Sequence, residues 1–496
     1  MQNKINSEEI RKLNSDILEK TSDIKNTVDN ELRTSFYFKG RKSEKIAKNI
    51  IELLSEKNDK ILDPFFGGGS FILSSLLAGR YITGIELDNY TYDIISTLLT
   101  KMDESVISMY FKTIEDNAKE KVMNLYRTKC CGEKNYIKKI LFDPENEEYY
   151  RPMKNREIID DKNIILMNTC PVCGEMRKQF DKYDETVLNE SFKFDNSSFP
   201  TDNYIENSRI NITKSTGADR YDRIFSERNK HALLIIQNEI SKLPESDEKK
   251  FIQHALVSSL ALSKISMYGS STDILYHVIT QKGQDMNVWH LFESKYNAML
   301  KFRKKYNNFL VDDIQNNSLM GLYNNSYDVF LNNCNTKFDL IYTDFPYTDQ
   351  VPYLERNQLF RKWLEHFYDN NSFKLTNEML TKEIVLTNAP SRPSKNKLST
   401  YYNDLDNMFS VFSDVLKDNK FLVFTMKLGQ KKYIRTYSEI INLARKNGFE
   451  YVTRINVEKN DPTLRKQSAY ANTFMNEVVV IFKKLPDSIK YWYEGN

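Results

Sequence analysis

The stretch KILDPFFGGGSF at residues 60–71 decides the fold of this 496-residue chain. A short apolar run ends there at Asp63 and Pro64, three glycines follow, and the helical pattern FILSSLLAG comes next. A second apolar run, YITGIELD, then ends in acidic residues at 86 and 88. This succession of strand, loop, helix and strand is how a doubly wound α/β sheet begins, so the sequence predicts a Rossmann-like fold.

The same sheet pattern returns far along the chain. FDLIYT at residues 338–343 is typical of a buried strand, and similar apolar runs follow at 420–426 and 476–484. Such runs continue a sheet whose faces are covered by helices. We therefore predict one catalytic α/β domain that combines residues 31–100 with residues 310–490.

The interruption between these two parts is predicted to be an insert over residues 104–305. Its apolar periodicity is mainly helical, most clearly at 222–266 and 287–305. Four cysteines lie between residues 130 and 174 of this insert. Residues 1–30 are predicted to be an N-terminal helical extension.

The composition is that of a folded protein, because 40% of the residues are hydrophobic and 30 Tyr and 29 Phe supply a large core. The formal net charge of +3 neither requires nor excludes a nucleic-acid partner. No run of about 20 apolar residues is present, so no membrane span is expected. The charged N-terminus lacks the apolar region of a signal peptide, which predicts a cytoplasmic protein.

The glycine cluster is predicted to bind a nucleotide-like cofactor. Gly67, Gly68 and Gly69 allow a tight turn and a close approach to a ligand beyond the carboxyl ends of the strands. No Lys-Ser/Thr pair follows, which disfavours a phosphate-binding P-loop. Glu86 lies about 20 residues further on, where an acid reaches both hydroxyls of a ribose. The alternatives are a structural turn and, for Glu86 and Asp88, a solvated strand end or a helix N-cap at Asp88.

The segment FDLIYTDFPY is predicted to carry the chemistry. An aromatic amine is a poor nucleophile, because its lone pair is delocalised into the ring. A carboxylate from Asp344 and the carbonyl of Phe345 can accept hydrogen bonds from such an amine and make it more nucleophilic. Pro346 stiffens the turn, and Tyr347 can stack on a base flipped out of a duplex. The alternative is a tight surface turn.

The sequence resembles the amino-methyltransferase family of DNA methylases. Residues 63–70, Asp-Pro-Phe-Phe-Gly-Gly-Gly-Ser, resemble the family's cofactor motif Asp-Pro-Phe-x-Gly-Ser/Gly-Gly-Ser/Thr. Glu86 matches its ribose-binding acid, and residues 344–347 resemble its catalytic Asp-Pro-Pro-Tyr. TDQVPYLERNQLFRKWL at 348–364 and NVWHLFESK at 287–295 are similar to a subgroup of large bacterial DNA methylases.

This resemblance implies a Rossmann-like methyltransferase sheet that uses S-adenosylmethionine to methylate the exocyclic amino group of a flipped base in double-stranded DNA. Adenine N6 is favoured over cytosine N4, because Asp at position 344 is commoner in the adenine enzymes. The resemblance also implies that the insert recognises the target DNA sequence, and it is compatible with a restriction or defence-system partner. The implied cofactor contacts are Phe38, Lys39, Asp63, Pro64, Phe65, Gly67, Gly69, Ser70, Glu86, Leu87 and Asp344.

The catalytic motif departs from the family at one position. Phe345 stands where the family has Pro, which keeps the carbonyl and removes some rigidity from the turn. This departure motivates one alternative, a catalytically silent DNA-binding subunit. The other alternative is an RNA base methyltransferase on the same fold. Asn325 falls near the place where the family often has an adenine-contacting Asp or Asn. The sequence predicts no oligomeric state.

The cysteines of the insert resemble a zinc ribbon. CPVCG at residues 170–174 is typical of a zinc knuckle, and CCG at 130–132 supplies a second pair of thiols. Adjacent cysteines rarely bind one ion together, so three alternatives to a four-cysteine site stay open. They are three thiols with a ligand from outside the cluster, a ribbon that has lost its metal, and a set of small buried thiols. We expect a structural zinc bound by Cys130, Cys131, Cys170 and Cys173.

Basic stretches are candidates for a DNA groove. They are KFRKK at 301–305, SRPSKNK at 391–397 and KLGQKK at 427–432. Cations in such runs contact phosphates in nucleic-acid-binding proteins. The alternative for each stretch is an ordinary solvated face.

Overall fold

The computed structural model describes most of the chain, namely residues 7–21, 28–141, 163–202, 220–267, 283–344, 352–368, 371–387, 389, 392–427, 431–457 and 477–486. In chain order the strands are β1 (Lys60–Asp63), β2 (Tyr81–Glu86), β3 (Arg127–Cys130), β4 (Glu133–Leu141), β5 (Ile164–Met167), β6 (Arg177–Gln179), β7 (Ser266–Met267), β8 (Gly283–Met286), β9 (Met320–Asn324), β10 (Phe338–Thr343), β11 (Leu416–Lys427), β12 (Phe449–Val457) and β13 (Glu477–Lys484).

The α-helices are α1 (Ser7–Thr21), α2 (Asn30–Ser35), α3 (Glu44–Leu54), α4 (Ser70–Leu77), α5 (Asn89–Leu99), α6 (Glu104–Asn124), α7 (Lys182–Glu190), α8 (Glu227–Ser241), α9 (Asp247–Ser263), α10 (Val288–Lys305), α11 (Tyr327–Asn332), α12 (Tyr353–Arg356), α13 (Gln358–Phe367), α14 (Asn377–Lys382), α15 (Leu398–Val415) and α16 (Lys431–Lys446). Short 3-10 helices occupy Ser191–Lys193, Tyr221–Ile224, Asn307–Phe309 and Pro393–Lys395. Among the described residues, no helix has the length and apolar character needed to cross a bilayer.

A seven-stranded sheet unites the two ends of the chain. Its strand order is β12-β13-β11-β10-β1-β2-β9, so β1 lies between β2 and the distant β10. Those central pairs, together with β2–β9 and β10–β11, are parallel. Strand β13 runs antiparallel between β11 and β12. The prediction of a doubly wound α/β fold is confirmed, and the antiparallel strand near one edge is a common addition to such sheets.

Helices cover both faces of this sheet. Successive side chains of a strand point to opposite faces, so Ile61 of β1 joins one apolar cluster and its neighbour Leu62 joins another. The first cluster contains buried residues of α3, α4 and α5, and the second contains those of α11, α15 and α16. Helix α3 begins after Ser43, whose side chain caps it by accepting a hydrogen bond from the main-chain N of Ile46.

The insert contains more than helices. Helices α6, α8, α9 and α10 fit the expectation of a mainly helical region, but strands β3 to β8 form a second, six-stranded sheet. All of its pairs are antiparallel. Most of these strands have only two to four residues, so they show little local periodicity and form only through pairing across the insert.

One apolar cluster continues from the sheet into the insert. It includes Ile61 of β1 and Ile94 of α5 as well as Leu233 of α8 and Leu256 of α9, all fully buried. The insert therefore shares its core with the sheet. The division into 1–30, 31–100 with 310–490, and 104–305 remains a proposal about chain organisation.

Candidate active site

The carboxyl ends of β1, β2, β9 and β10 meet at one edge of the sheet. Because these strands are parallel, the edge collects the side chains that follow each of them. A cleft of about 880 Å³, including the solvent in its mouth, opens there. Its lining includes Phe38, Gly67, Glu86, Asn325 and Asp344, from four separate parts of the sequence.

The cleft contains most of the predicted cofactor residues. Those that line it are Phe38, Pro64, Phe65, Gly67, Ser70, Glu86, Leu87 and Asp344. Lys39, Asp63 and Gly69 lie next to the lining rather than in it. Phe345, Pro346 and Tyr347 lie outside the described residues, so their predicted catalytic roles stay predictions.

Glycine is required in the loop between β1 and α4. Gly67 has φ +45° and Gly69 has φ +80°, which is the left-handed region that other residues adopt at a cost. A Cβ added to Gly67 would lie 2.7 Å from Cζ of Phe38, and one on Gly68 would lie 2.8 Å from Cδ1 of the same ring. The loop therefore lacks side chains where the Phe38 ring packs against its backbone.

Glu86, the last residue of β2, binds the glycine loop through its side chain. One carboxylate oxygen accepts a hydrogen bond from the main-chain N of Gly67 (2.9 Å), and the other accepts from the main-chain N of Asp88 (2.8 Å). Removal from water, reinforced by the nearby charge of Asp88, raises the pKa of Glu86 to about 8. The acid predicted to bind ribose thus contacts the glycine loop directly.

Asp88 has the structural role offered as its alternative. Its carboxylate caps helix α5 by accepting from the main-chain N of Thr91 (3.1 Å). It also accepts from Nδ2 of Asn357 (2.8 Å) and forms a buried ion pair with Arg361. Because Asn357 and Arg361 follow the predicted catalytic motif in sequence, Asp88 joins that part of the chain to the cofactor edge of the cleft.

Asp63 is a second buried acid at this edge. Its Oδ1 accepts from the hydroxyl of Thr343 (2.7 Å) and from the main-chain N of Phe65 (3.3 Å). Its Oδ2 has no hydrogen-bond partner among the described residues. Burial raises the pKa of Asp63 to about 7. An oxygen left without a donor beside the cleft is suited to receive a polar group of a ligand.

Asp344 stands at the end of β10 with a donor on each carboxylate oxygen. Oδ1 accepts a hydrogen bond from the hydroxyl of Thr425 on the adjacent strand β11. Oδ2 lies 3.2 Å from Nζ of Lys42. The Lys42 side chain is 9% exposed and that of Asp344 is 23% exposed, so the carboxylate still reaches the cleft.

The segment before α3 covers the cleft, which the sequence indicated only in part. Phe38 stacks on Tyr353 with ring centroids 5.0 Å apart and an interplanar angle of 6°. The Tyr353 hydroxyl donates to the carbonyl of Lys39 (3.0 Å), so Lys39 contributes a main-chain atom rather than its ammonium here. Arg41 donates from Nε to the carbonyl of Gly68 (3.3 Å). Arg41, Lys42 and Tyr353 were missed because no local motif marks them.

The first predicted DNA-binding stretch, 301–305, has mostly structural contacts. Arg303 is fully buried and donates to main-chain carbonyls at the end of α5. Lys305 forms ion pairs with Asp29 and with Glu31 (2.7 Å). The prediction is wrong for Arg303, because its buried guanidinium cannot reach a phosphate. Lys305 is 44% exposed, so its predicted role in DNA binding stays a prediction.

The second stretch, 391–397, behaves in the same way. Arg392 is buried and forms ion pairs with two glutamates, and Lys395 is buried 2.7 Å from Asp404. The prediction is therefore wrong for these side chains as well. The third stretch, 427–432, includes residues outside the described part of the chain.

The cysteine cluster assembles from two turns. In the β3–β4 hairpin, Cys131 has φ +52° and Gly132 has φ +86°, which is the tight turn that two-residue hairpins favour. The second turn places the main-chain N of Gly174 2.9 Å from the carbonyl of Cys170. All four Sγ atoms lie within 4.8 Å of one another, and those of Cys130 and Cys173 are 3.7 Å apart.

This geometry fits a tetrahedral zinc ion. Zn–S bonds of about 2.3 Å place tetrahedral sulfurs roughly 3.8 Å apart, close to the Cys130–Cys173 separation. The hairpin turn explains how adjacent cysteines reach one site, because Cys131 is itself left-handed and the chain reverses between Cys130, which ends β3, and Glu133, which begins β4. The fifth cysteine, Cys334, is not part of this group.

Comparison with known proteins supports the cofactor half of the site. Residues 2–97 match the family described as DNA methylase, which confirms the resemblance seen in the sequence. The match contains the glycine loop and Glu86 but ends long before Asp344, whose assignment depends on the geometry above. No curated protein matches the chain.

A solved structure also matches, the N-methyltransferase NodS from Bradyrhizobium japonicum WM9. It has 10% sequence identity and a TM-score of 0.18, and the match covers 38% of this chain and 69% of that one. The fold assignment rests instead on the topology of the central sheet.

Proposed function

We propose that this chain, whose residues 2–97 are those of the DNA methylase family, transfers a methyl group from S-adenosylmethionine to the exocyclic amino group of a base in DNA. Adenine N6 is the first choice and cytosine N4 the second. One observation carries the proposal. The glycine loop, Glu86 and Asp344 line the same cleft, although Asp344 is far from the other two in sequence.

The cleft suits the cofactor by the chemistry of its walls. Glu86 offers two carboxylate oxygens for ribose hydroxyls and lies against the glycine loop through its hydrogen bond to the main-chain N of Gly67. The unpartnered Oδ2 of Asp63 can accept from a cationic ammonium group. When bound, S-adenosylmethionine supplies the electrophilic methyl group, and the protein supplies orientation.

Asp344 would activate the target amine. Thr425 fixes one carboxylate oxygen, so the rotation of the carboxylate is set before a base arrives. A carboxylate that accepts from the amino group favours a tetrahedral nitrogen and stabilises the positive charge that develops during transfer. The carbonyl of Phe345 would act as the second acceptor, and Tyr347 would stack on the flipped base.

Target recognition would fall to the insert and to residues beside β9. Asn325 lines the cleft, and its main-chain N donates to the carbonyl of Glu86 (3.1 Å). Its position supports the proposal that it contacts the base. Two alternatives stay open. A catalytically silent DNA-binding subunit is motivated by Phe345 in the catalytic motif, and an RNA base methyltransferase is motivated by the family resemblance alone.

The proposed activity is tested with labelled S-adenosylmethionine and genomic DNA from a bacterium that lacks DNA methylation. Mass spectrometry of the digested nucleosides should show N6-methyladenine. The variant Asp344→Ala should lose transfer by at least 100-fold while it still binds S-adenosylhomocysteine, since removal of one preorganised acceptor costs about 2.7–4 kcal/mol. The control Asp312→Ala, at an exposed ion pair, should retain transfer.

Three outcomes would change the assignment. Transfer by Asp344→Ala would show that the catalytic loop is wrongly placed. Methylation of RNA instead of DNA would favour the RNA alternative, and cofactor binding without transfer to either would favour the silent subunit.

We also propose that the four-cysteine cluster binds a structural zinc ion. Elemental analysis of the purified protein should give about one zinc per chain. Cys173→Ser should lower that content and the melting temperature, because one thiolate ligand is lost. Cys334→Ser should change neither. Full zinc in Cys173→Ser would exclude that residue from the site.

A further inference from the structure

The β3–β4 hairpin of the insert sorts its side chains onto two faces. Residues directly opposite each other in an antiparallel pair lie on the same face, as Lys129 and Lys134 do. Arg127 and Tyr136 are the next such pair and lie on that face too, since every second residue of a strand does. The acid of the hairpin, Glu133, belongs to the other face. The face formed by these three cations and the tyrosine, here called the hairpin face, thus has no carboxylate of its own.

Two lysines of the hairpin face repel each other without compensation. Lys129 and Lys134 are exposed, and neither forms an ion pair with a carboxylate of the described residues. Arg127 differs, because it pairs with Glu190. Like charges directly opposite each other destabilise an antiparallel pair. An excess of cations over the whole chain is not the cause, because 71 Lys and Arg are offset by 68 Asp and Glu. A bound anion would remove the cost of this repulsion.

Aromatic rings hold both ammonium groups on the hairpin face. Nζ of Lys129 lies 4.7 Å from the ring centroid of Tyr183, which is in the first turn of α7. Nζ of Lys134 lies 5.2 Å from the ring centroid of Tyr136. Such a contact restricts a flexible lysine and leaves N–H donors that can bind an anion. The two cations are therefore held ready for an external partner.

The surroundings of the hairpin face do not neutralise it. Asp181 and Asp184 lie on either side of Tyr183 in sequence, but both pair with Lys178. Lys138 is exposed further along β4, and it too forms no ion pair with a described residue. A partner that suits this surface carries several negative charges along its length.

We propose that the hairpin face binds phosphates of the DNA backbone through Lys129 and Lys134. A two-stranded β-ribbon fits the major groove of B-DNA, which is about 12 Å wide, and phosphates border that groove. Phosphate contacts fix the position of a protein on the duplex and carry no sequence information. The inference rests on the proposed function, since it takes double-stranded DNA as the partner. It gives the hairpin face an anchoring role within the insert and leaves base readout to other residues.

The salt dependence of DNA binding tests this role. Anisotropy of a fluorescein-labelled duplex with the full-length protein, over a series of KCl concentrations, gives the slope of log K against log salt. Loss of two phosphate contacts should reduce the slope of Lys129→Met/Lys134→Met by about 1.8. Binding at low salt should weaken roughly 5- to 30-fold, the value of two surface charge pairs. Lys129→Arg/Lys134→Arg should keep both the slope and the affinity, because it keeps the charges.

The matched control is Lys101→Met/Lys112→Met. It removes the same charge from exposed lysines that already pair with Asp312 and Asp116. The salt slope of this control should equal that of the wild type. Equal losses in the two double variants would show a dependence on net charge alone and would overturn the proposal.

The melting temperature separates anchoring from a structural role. Because Lys129 and Lys134 repel each other, Lys134→Met should keep or raise the melting temperature while DNA binding weakens. Lys129→Glu should raise it, since opposite charges then face each other, and should weaken binding further. A lower melting temperature in both variants would mean that the lysines stabilise the hairpin, and the proposal would fail.

The outcomes separate this inference from the proposed function. If the wild-type protein methylates DNA and Lys129→Met/Lys134→Met keeps its salt slope, the inference is wrong and the methyltransferase proposal stands. If the slope falls as expected but no methyl group is transferred, the hairpin face stands and the catalytic proposal fails. A change in the methylated sequence would show that the lysines read bases, and tighter binding to RNA than to DNA would show a different partner; either result overturns the inference.

Methylation of the same sequence at higher DNA concentration supports the inference.

Discussion

The raised pKa of Glu86 predicts that cofactor binding depends on pH. The pKa of this carboxyl is about 8, above its ordinary value of 4.5, because burial and the nearby Asp88 disfavour the charge. The ionised form is the one that accepts hydrogen bonds from both ribose hydroxyls. Below pH 8 the protein must therefore release a proton when the cofactor binds, and affinity should rise with pH and level off above 8.

The size of the effect follows from the pKa. Each pH unit below 8 should weaken binding by about tenfold, or about 1.4 kcal/mol, because only about one tenth of Glu86 is ionised at pH 7 and about one hundredth at pH 6. The contribution of Glu86 to the slope of the logarithm of the association constant against pH should thus be near +1 between pH 6 and 7 and fall to about +0.5 at pH 8.

Glu86→Gln is the matched variant, because it keeps the shape and one acceptor oxygen and removes the titration. Calorimetry with S-adenosylhomocysteine, repeated in buffers of different ionisation enthalpy, measures both affinity and proton release. The variant should bind roughly 10- to 100-fold more weakly than the wild type at pH 9, with little slope between pH 7 and 8. A slope that remains below pH 7 would report Asp63, whose pKa is about 7. Identical slopes in the wild type and in Glu86→Gln would refute the reasoning.

Two further substitutions test the loop and the insert. Gly67→Ala should abolish binding of S-adenosylhomocysteine and lower the melting temperature, because its Cβ would lie 2.7 Å from Phe38. The control is Gly79→Ala, since Gly79 also has a positive φ of +70° but its Cβ would meet nothing within 4 Å. This control should lose only the free energy of unfolding that a left-handed backbone costs a non-glycine residue, about 1–2 kcal/mol. Equal effects of the two would contradict the proposed close packing. Arg228→Met should lower the free energy of unfolding by about 3–5 kcal/mol in denaturant titrations, because Asp285, 2.7 Å away and 1% exposed, would lose its partner. A loss below about 1 kcal/mol would show that this buried pair is not essential to the insert.

The features readable from the sequence are those encoded within about ten neighbouring residues. The loop at 60–71 combines a strand, three glycines and a helix start, and each follows from local sterics and periodicity, so its structure matches the prediction. Strand 338–343 is mainly apolar and is buried at every position. Parallel pairing then brings the ends of these strands to one edge, so the neighbourhood of Glu86 and Asp344 was also predictable.

Charged contacts between distant segments were decided only by the tertiary structure. Lys42 and Asp344 form a pair because the segment before α3 covers the cleft at the end of β10, and neither residue has a local pattern that names the other. Arg303 and Arg392 belong to basic stretches in the sequence, yet burial against carbonyls and glutamates removes them from any DNA surface. A sequence shows that a charge exists, whereas its partner depends on which surfaces the fold brings together.

The cysteines show both kinds of information at once. The CPVCG turn at 170–174 is a local motif and was recognised as one half of a metal site. The adjacent Cys130 and Cys131 argued against a complete site, because their side chains normally diverge. The left-handed turn at Cys131 and Gly132, set by pairing of β3 with β4, brings both sulfurs to the second knuckle. The sequence therefore determined which atoms are available, and the long-range strand pairing determined that they meet.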